Sequence, residues 1–372
     1  MSAMHQHLYV VVDDWERGYS VHKFDEHDFG PDPNAAVVGM DAGARPFVRM
    51  EALHPHSWSF AALGRKILAM QPPEYSPGIP VLDTETMGMA VWPHPESSLH
   101  GDFGSRPLYI SAGDRLLAFV YPFVEMVGPE LPRPTDGDGS SWSWASIEPP
   151  PPFVSSVVSG YAVHPDGRTV FVSVENWRPD IPGRICRHHL DCRRSTFSFD
   201  MERHEWTHVG EWLLPFKGQA HYDRELDAWV GLCLYKQGAG RVCCCDVPAV
   251  VPPRDGASGG GGGGGETTTI TMPAWKLGRD VLFEKDSDQH LGATLVYMGD
   301  SRFCMVERRM PPDCDEGYAR TRVLKMTGFF LKYDKEGELR VATTRHRAYA
   351  SFSYEVAHQL IDRTQNPVAF WI

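Results

Sequence analysis

One short pattern recurs along this sequence, and it limits the folds that the chain can adopt. Each copy has a strand, a turn with Gly-Arg, Gly-Asp or Asp-Gly, a second strand, a variable loop, a third strand closing on Asp, and a last strand. Clear copies are LGRKILAM with IPVLDTETMGMAVWP, YAVHPDGRTVFVSVEN with STFSFDMERHEWTHV, AHYDRELDAWVGLCLY with GRVCCCDVPAV, and LVYMGDSRFCMVER with FFLKYDKEGELRVATTR. A four-stranded unit repeated every ~45–60 residues is typical of a β-propeller blade.

Two weaker copies bring the number of units to six. AGDRLLAFVYPFVEMV with SWSWASIEP lacks the Asp, and HLYVVVDDWERGYSVHKFD begins another unit near the N-terminus. Helical periodicity is scarce, and Gly and Pro interrupt nearly every segment. We therefore predict an all-β chain whose residues 1–372 form a single β-propeller of six four-stranded blades. N- and C-terminal strands should close one blade, since this removes a free sheet edge.

Two segments are expected to be inserts in this domain. Residues 129–152 form a Pro-rich loop insert, and residues 253–270 form a Gly-rich insert that is disordered by composition. The second contains the uninterrupted run Gly259–Gly265. No Lys-Ser or Lys-Thr follows this run, so it does not predict a phosphate-binding loop.

The charge of the chain argues against two classes of partner. The formal net charge is −12, which disfavours broad attraction to nucleic acid or to an anionic membrane. No apolar stretch approaches the ~20 residues of a membrane helix, and the N-terminus lacks the pattern of a secretory signal. We expect a monomer located in the cytoplasm or the nucleus, whose eight irregularly spaced cysteines are thiols.

The segment TFSFDMERHEWTHV raises the question of what Asp200 does. Considered alone, this carboxylate is a candidate catalytic acid. Similar Asp residues close the third strand in VLDTETM and FLKYDKEG, which favours a turn residue that accepts backbone N–H bonds. Trp206 should then begin the outer strand and pack against the neighbouring blade.

Two cysteine-containing segments are candidates for metal binding. In ICRHHLDC, four residues could in principle bind zinc: Cys186, His188, His189 and Cys192. Adjacent histidines in an extended loop point in opposite directions, and several arginines around them oppose a cation, so a surface loop is the favoured interpretation. In GRVCCCDVP, alternation places Cys243 and Cys245 on one face and Cys244 on the other, as in a buried strand. Pairing with Cys233 of the adjacent strand is geometrically possible.

Carboxylates are numerous, but no spacing selects a catalytic pair. The candidates are Asp13, Asp14, Glu175, Asp223, Glu225 and Asp227. HYDRELDAW is typical of a tight hairpin, in which Asp223 and Asp227 are expected to shape the turn. No Ser, His and Asp set is organised by a recognisable nucleophile motif. The sequence therefore assigns no catalytic residue, cofactor or metal ligand.

Segments such as VLDTETMGMAVWP and SFDMERHEWTHV resemble the blades of kelch-type propellers in their Asp, polar turn and Trp, although the kelch double glycine is absent. A fuller resemblance is to a plant family expanded in grasses, the domain-of-unknown-function family numbered 1668. The residues that carry it are HLYVVVDDWERGYSVHKFD, GRKILAMQPP with IPVLDTETM, the run from GRTVFVSVEN to DAWVGL, and MTGFFLKYDKEGELRVATTRHRAY. The resemblance implies a propeller-like fold with no established activity, and it carries no catalytic residue onto this chain.

Two functions remain open from the sequence. The favoured one is a non-enzymatic, kelch-like module that binds a protein partner, or a ligand, with Trp142, Trp144 or Trp177 as candidate anchors. The alternative is a propeller enzyme, glycan-active or oxidative, with its site at the central channel. Three or more His or carboxylate side chains converging on the axis would favour the enzyme.

Overall fold

The computed structural model describes most of the chain outside its longest loops. The described residues are 6–32, 45–52, 59–71, 73, 76–96, 107–120, 122–128, 143–177, 193–250, 271–311, 320–342, 347–357 and 366–372. Within these ranges the chain forms twenty-five β-strands and three 3₁₀ turns, at Glu26–Asp28, Ser155–Val157 and Lys236–Gly238. The prediction of an all-β chain is confirmed.

The strands fall into six antiparallel groups, which we number units 1 to 6 along the chain. Unit 1 contains β1 (Leu8–Trp15), β2 (Gly18–Phe24), β3 (Val48–Glu51) and the last strand, β25 (Val368–Trp371). Unit 2 contains β4 (Ser59–Leu63), β5 (Lys66–Met70), β6 (Ile79–Asp83) and β7 (Met89–Trp92). Unit 3 contains β8 (Leu108–Ala112), β9 (Arg115–Val120), β10 (Phe123–Val127) and β11 (Ala145–Ile147). β11 lies within the predicted Pro-rich insert.

The second half of the chain repeats this order. Unit 4 contains β12 (Val158–Val163), β13 (Thr169–Trp177), β14 (Arg193–Asp200) and β15 (Glu205–Gly210). Unit 5 contains β16 (Gly218–Asp223), β17 (Ala228–Leu232), β18 (Val242–Cys245) and β19 (Trp275–Leu277). Unit 6 contains β20 (His290–Gly299), β21 (Arg302–Arg309), β22 (Thr321–Tyr333), β23 (Leu339–Val341) and β24 (Ala348–Glu355). The long β22 pairs with β24 along its first part and with β23 along its last.

The two ends of the chain meet in unit 1, as the sequence predicts. β25 lies antiparallel to β1, with Val10 opposite Ala369. His7 and Ile372 extend this pairing by exchanging two backbone hydrogen bonds, at 2.9 and 3.1 Å. β1 therefore has a partner from the C-terminus instead of a free edge, and β25 is the first strand of unit 1 in hydrogen-bonded order.

Units 4 and 5 are joined directly through their first strands. β12 and β16 pair in parallel, with Gly160 opposite Gly218. A Cβ atom on Gly160 would lie 2.4 Å from the carbonyl oxygen of Phe216, so this close approach of two backbones requires glycine. The result is one eight-stranded sheet.

Six buried hydrophobic clusters lie between the units, and each joins two of them. Alternation along each strand places successive side chains on opposite faces, so Ile67 faces unit 1 while Leu68 faces unit 3. Pairs of residues that share a cluster, in order from units 1 and 2 to units 6 and 1, are Tyr9 with Ile67, Leu68 with Leu116, Phe119 with Phe199, Phe171 with Trp229, Val230 with Phe303, and Val306 with Val10. The arrangement is propeller-like.

Polar side chains connect the first strands of neighbouring units. The Ser111 hydroxyl of β8 donates to the carbonyl of Ala62 in β4. His221 of β16 donates from Nε2 to the carbonyl of Leu295 in β20 at 3.1 Å, and Thr294 of β20 donates to the carbonyl of Pro367, next to β25, at 2.6 Å. These bonds satisfy backbone carbonyls at the edges of the sheets.

The recurring Asp residues have the predicted role in turns. Asp200 ends β14, and its Oδ1 accepts the backbone N–H groups of Glu202 at 2.9 Å and Arg203 at 3.0 Å. Asp83 and Asp334 each accept two backbone N–H groups in the corresponding turns. Trp206 packs on Phe119 of unit 3 with ring centroids 5.5 Å apart, so its predicted contact with a neighbouring unit is confirmed.

Candidate functional site

A cleft of about 490 Å³ lies beside unit 6 and is the candidate functional site. We call it the unit 6 cleft. One wall is the chain segment after β19, and the other is the sheet of β21, β22 and β24. Its lining residues are Val281, Leu282, Phe283, Glu284, Glu307, Arg309, Lys325, Met326, Thr327, Tyr349 and Ala350.

Strand alternation determines which side chains of unit 6 face the cleft. Leu324 and Met326 are buried in the cluster between units 6 and 1, so Lys325 and Thr327 point to the opposite face. The register places Lys325 across from Glu307 and Thr327 across from Tyr349. Two charges and two hydroxyl groups therefore share one face of the sheet.

The opposite wall is held in place by a few polar contacts. Asp280 accepts the backbone N–H of Val341 at 3.0 Å and a guanidinium hydrogen bond from Arg347 at 2.9 Å. The backbone N–H of Leu282 donates to Gly240 at 2.8 Å. Gly240 has a φ of +77°, and a Cβ atom there would lie 2.0 Å from the carbonyl oxygen of Phe283. Only glycine allows the wall to approach unit 5 this closely.

A buried carboxylate beside the cleft holds an imidazole in a fixed position. Glu307 is 5% exposed, and its Oε1 accepts from Nδ1 of His290 at 2.9 Å. The Arg309 Nε lies 3.8 Å from the same oxygen, and Arg309 Nη2 donates to Oε1 of Gln289 at 2.8 Å. The ring of Phe283 stacks on His290 at a centroid distance of 4.6 Å. A carboxylate that orients an imidazole could support proton transfer.

Lys325 differs from Glu307 and Arg309, which share its face of the sheet. It is half-buried, and the part of the chain that the structure describes offers it no carboxylate within ion-pair distance. Glu307 lies across from it in the register, but that carboxylate already contacts His290 and Arg309. Among the described residues, the ammonium group of Lys325 therefore has no carboxylate partner.

The first strands of the units contribute few ionisable groups. In β4, β8, β12, β16, β20 and β25, the ionisable acids and imidazoles are His221, Asp223 and His290. Burial lowers the pKa of His221 to about 4, against the smaller opposing effect of its bond to Leu295, so the ring is neutral at physiological pH. Among the described residues, no group of three or more His, Cys, Asp or Glu side chains could hold a metal ion.

Asp223 connects two units in addition to shaping its own hairpin. The predicted hairpin is present between β16 and β17, and Oδ1 of Asp223 accepts the backbone N–H of Leu226 at 2.9 Å. The same buried carboxylate also accepts from Ser301, in the turn between β20 and β21 of unit 6. Asp227 accepts from the hydroxyl of Tyr222 at 2.8 Å. The connection between Asp223 and Ser301 was not visible in the sequence, because the two residues are 78 positions apart.

The cysteine run lies as the alternation predicts. Cys243 and Cys245 are buried between units 4 and 5, and Cys244 is buried between units 5 and 6. All five described cysteines are free thiols. A hydrogen bond with Cys243 lowers the pKa of Cys233 to about 7, whereas burial raises the pKa of Cys243.

Several sequence candidates do not contribute to the cleft. Cys186, His188, His189, Cys192 and Trp142 lie outside the described residues, as does the side chain of Trp177. Trp144, predicted as an exposed anchor, is half-buried against the cluster between units 2 and 3 and donates its indole N–H to Pro93 at 3.0 Å. It is engaged within the chain because β11 completes unit 3 beside unit 2.

The remaining carboxylate candidates are dispersed. Asp13 and Asp14 lie at the end of β1, where Asp13 is buried and Asp14 is 3.6 Å from His22. Glu225 lies 3.1 Å from the Ser301 hydroxyl, and Glu175 lies in β13. The sequence did not identify Glu307, Lys325 or Tyr349. A sequence signal for this region was the charged end of β21, where Glu-Arg-Arg follows an apolar run.

In the described residues, no helix has the length and apolar character needed to cross a bilayer.

Solved structures with a similar chain course share very low sequence identity with this protein. A putative 6-phosphogluconolactonase from Bacteroides uniformis has 8% identity and a TM-score of 0.37, covering 99% of this chain and 100% of its own. AztD from Citrobacter koseri has 8% identity and a TM-score of 0.35, covering 94% and 98%. An α-L-arabinanase mutant from Cellvibrio cellulosa has 11% identity and a TM-score of 0.34, covering 78% and 95%. No curated protein matches the sequence.

One family model covers nearly the whole chain. The model described as "Protein of unknown function (DUF1668)" matches residues 5–349. The match includes β1 of unit 1 and extends into β24 of unit 6. The protein therefore belongs to the DUF1668 family.

Proposed function

We propose that this protein is a closed, six-bladed, kelch-like β-propeller that acts as a non-enzymatic binding module, with the unit 6 cleft as its binding site. The observation that carries the proposal is the cleft itself, where an apolar wall faces charged and hydroxyl side chains. The volume of the cleft lies within the range of roughly 300–1,000 Å³ that is common for small-molecule sites, and its lining is more polar than that of most such sites.

Three observations support closure of the ring. The six hydrophobic clusters follow one another in cyclic order, and the last one joins unit 6 to unit 1. β25 returns from the C-terminus to pair with β1. The first strands of units 2 and 3, 5 and 6, and 6 and 1 are connected by side-chain hydrogen bonds, and those of units 4 and 5 by backbone pairing. In this proposal each unit is one blade.

The proposed setting is a monomer in the cytoplasm or nucleus. The free, buried thiols of Cys233, Cys243, Cys244, Cys245 and Cys304 support a reducing compartment. A protein partner could use the same cleft by inserting a side chain or a chain terminus. The exposed Val281 at its edge, 48% accessible, gives such a partner apolar contact area.

A propeller enzyme is the second candidate, and the Glu307–His290 pair is the observation that favours it. Its proton-transfer role would require the imidazole to reach a bound substrate. The site would then lie at the side of unit 6 and not at the axis, where the described first strands carry mainly neutral residues. The binding module is better supported because His290 is stacked under Phe283 and held by Glu307.

A screen of small fragments of mixed charge by saturation-transfer NMR tests the binding function. Thr327→Trp should fill the cleft and abolish the signals of specific fragments. Lys332→Trp is the matched control, since Lys332 is an exposed residue of the same strand. Fragments that bind both variants equally well would contradict the proposed site. Conversion of a bound fragment, lost on His290→Ala, would favour the enzyme.

A further inference from the structure

The charges around the unit 6 cleft differ in how far the protein itself satisfies them. Glu307 is shared by His290 and Arg309, and Arg309 is further held by Gln289. These groups form a connected network along the end of β21 and the start of β20. These side chains already have partners in the protein, so we do not expect them to provide the main contact with a ligand.

Lys325 stands outside this network, next to two hydroxyl groups. Thr327 is two residues further along β22 and therefore on the same face of the sheet, and Tyr349 lies directly across from Thr327 in β24. All three residues line the cleft. An ammonium group and two hydroxyls can each donate to an anionic oxygen.

The opposite wall sets the character of the rest of the ligand. Val281, Leu282 and Phe283 line the cleft on this side. Leu282 and Phe283 also pack against the cluster between units 5 and 6, which fixes the wall in position. A ligand that spans the cleft would place its anionic group at Lys325 and an apolar body against this wall.

The balance of charge in the lining favours an anion with a single negative charge over a dianion. Arg309 and Lys325 are opposed in the lining by Glu284 and Glu307, so the formal charge of these four residues sums to zero. A phosphate dianion would be repelled by both carboxylates. A carboxylate can be held by one ammonium group with hydroxyl donors, without a cluster of arginines.

We propose that the unit 6 cleft binds small organic carboxylates with an apolar body, and that Lys325, with Thr327 and Tyr349, recognises the carboxylate. This inference rests on the proposed binding function and specifies its ligand class. It makes Lys325 the residue that determines specificity, whereas Leu282 and Phe283 provide contact area.

Isothermal titration calorimetry with three probes of one shape tests the ligand class. The probes are 4-phenylbutyrate, 4-phenylbutanol and 4-phenylbutylamine, which share an apolar body and differ in head-group charge. The acid should bind about tenfold more tightly than the alcohol, a difference of about 1.4 kcal/mol, and the amine should bind most weakly. Inorganic phosphate should not compete with the acid.

Variants at one position then assign the preference to Lys325. Lys325→Met should remove the tenfold preference for the acid, Lys325→Arg should retain it, and Lys325→Glu should reverse it in favour of the amine. Lys332→Met, on the same strand outside the cleft, should leave all three affinities unchanged. Thermal midpoints of the variants show whether each one folds, and the comparison of probes on the unmodified protein needs no variant.

Different results would overturn the carboxylate ligand class, the assignment to Lys325 and the unit 6 cleft as a binding site. Equal affinity for acid and alcohol, with both lost in Thr327→Trp, would overturn the carboxylate class and leave the cleft as a binding site. An acid preference that survives in Lys325→Met would overturn the assignment to Lys325. Binding of all three probes that is unaffected by Thr327→Trp, or no binding of any probe, would overturn both the ligand class and the site.

Discussion

The carboxylate of Asp223 accepts two hydrogen bonds from Ser301, one from the backbone N–H at 2.9 Å and one from the hydroxyl at 2.8 Å. Asp223 belongs to unit 5 and Ser301 to unit 6, and both are buried. Because a third bond comes from the N–H of Leu226, this carboxylate fixes its own hairpin and the junction between units 5 and 6 together.

Asp223→Ala should therefore lower the free energy of unfolding by about 3 kcal/mol, since it leaves the buried backbone N–H groups of Ser301 and Leu226 without an acceptor. Arg224→Ala, at an exposed position of the same hairpin, should change it by less than about 0.5 kcal/mol. Urea unfolding of both variants makes the comparison. Equal effects of the two substitutions would show that the bonds to Ser301 do not stabilise the junction.

The turn function of Asp200 predicts a smaller effect. Asp200→Ala removes the acceptor for two backbone N–H groups in an exposed turn and should lower stability by about 1 kcal/mol. Glu205→Ala, exposed at the start of β15, serves as the control for a lost surface carboxylate. Retained affinity for 4-phenylbutyrate in Asp200→Ala is also expected. A loss of binding without a loss of stability would contradict the assignment of Asp200 to the turn.

The corresponding turn of unit 2 should respond to acid. The backbone N–H of Thr86, followed by the Lys66 ammonium, lowers the pKa of Asp83 from its ordinary value of 3.8 to about 2. A carboxyl with a lowered pKa stabilises the fold above its unfolded-state pKa and loses this contribution as the pH falls toward the folded-state value.

The stability difference between the wild type and Asp83→Asn should thus be constant above about pH 5 and shrink as the pH falls from about 4 to 2. The amide of Asn retains an acceptor for the turn, so the difference reports the charge. Urea unfolding at a series of pH values measures it. A difference that stays constant down to about pH 2 would be inconsistent with a charged Asp83 in the folded protein.

Thiol reactivity should separate the buried cysteines. The hydrogen bond with Cys243 lowers the pKa of Cys233 to about 7, while burial raises those of Cys245 and Cys304 to about 12. Near pH 7, iodoacetamide should modify Cys233 first among the described cysteines, as followed by peptide mass spectrometry. Cys243→Ala should shift the pH midpoint of this modification upward, toward the ordinary value of a thiol. An unchanged midpoint would exclude Cys243 as the cause.

Closure by the C-terminal strand allows a test with matched proline substitutions. The backbones of His7 and Ile372 exchange two hydrogen bonds. In an antiparallel pair only every second residue bonds to its partner strand in this way, so the next residues of β25 that bond to β1 are Phe370 and Val368. Val368→Pro removes a ladder bond to Val11 and should cost about 2 kcal/mol. Ala369→Pro is the control, because the N–H of Ala369 points away from β1. Equal destabilisation by both prolines would mean that the β1–β25 pairing contributes little.

The fold was largely predictable because its signals are local and repeated. The Asp turn at Asp200 recurs at Asp83 and Asp334, and each copy strengthens the interpretation of the others. The cysteine run was placed correctly because alternation alone assigns Cys243 and Cys244 to opposite faces. Pairing of β1 with the C-terminal strand followed from the rule that exposed edges are avoided.

The cleft was not predictable, because its parts come from positions far apart in the sequence. Phe283 follows the last strand of unit 5, while Lys325 and Tyr349 belong to two strands of unit 6. Each of these residue types is ordinary in a strand or loop, and no spacing between them forms a motif. Trp144 shows the converse: a conspicuous residue in the sequence was proposed as an anchor, yet its indole is used within the chain.

Hydrogen exchange measured by mass spectrometry, with and without 4-phenylbutyrate, tests the binding account most directly. The ligand should slow exchange in peptides covering residues 281–284 and the paired strands β22 and β24, and this protection should be absent in Lys325→Met. Exchange in units 2 and 3 should not change. Protection elsewhere in the protein with none at residues 281–284, or equal protection in Lys325→Met, would contradict the claim that the unit 6 cleft is the binding site and that Lys325 recognises the ligand.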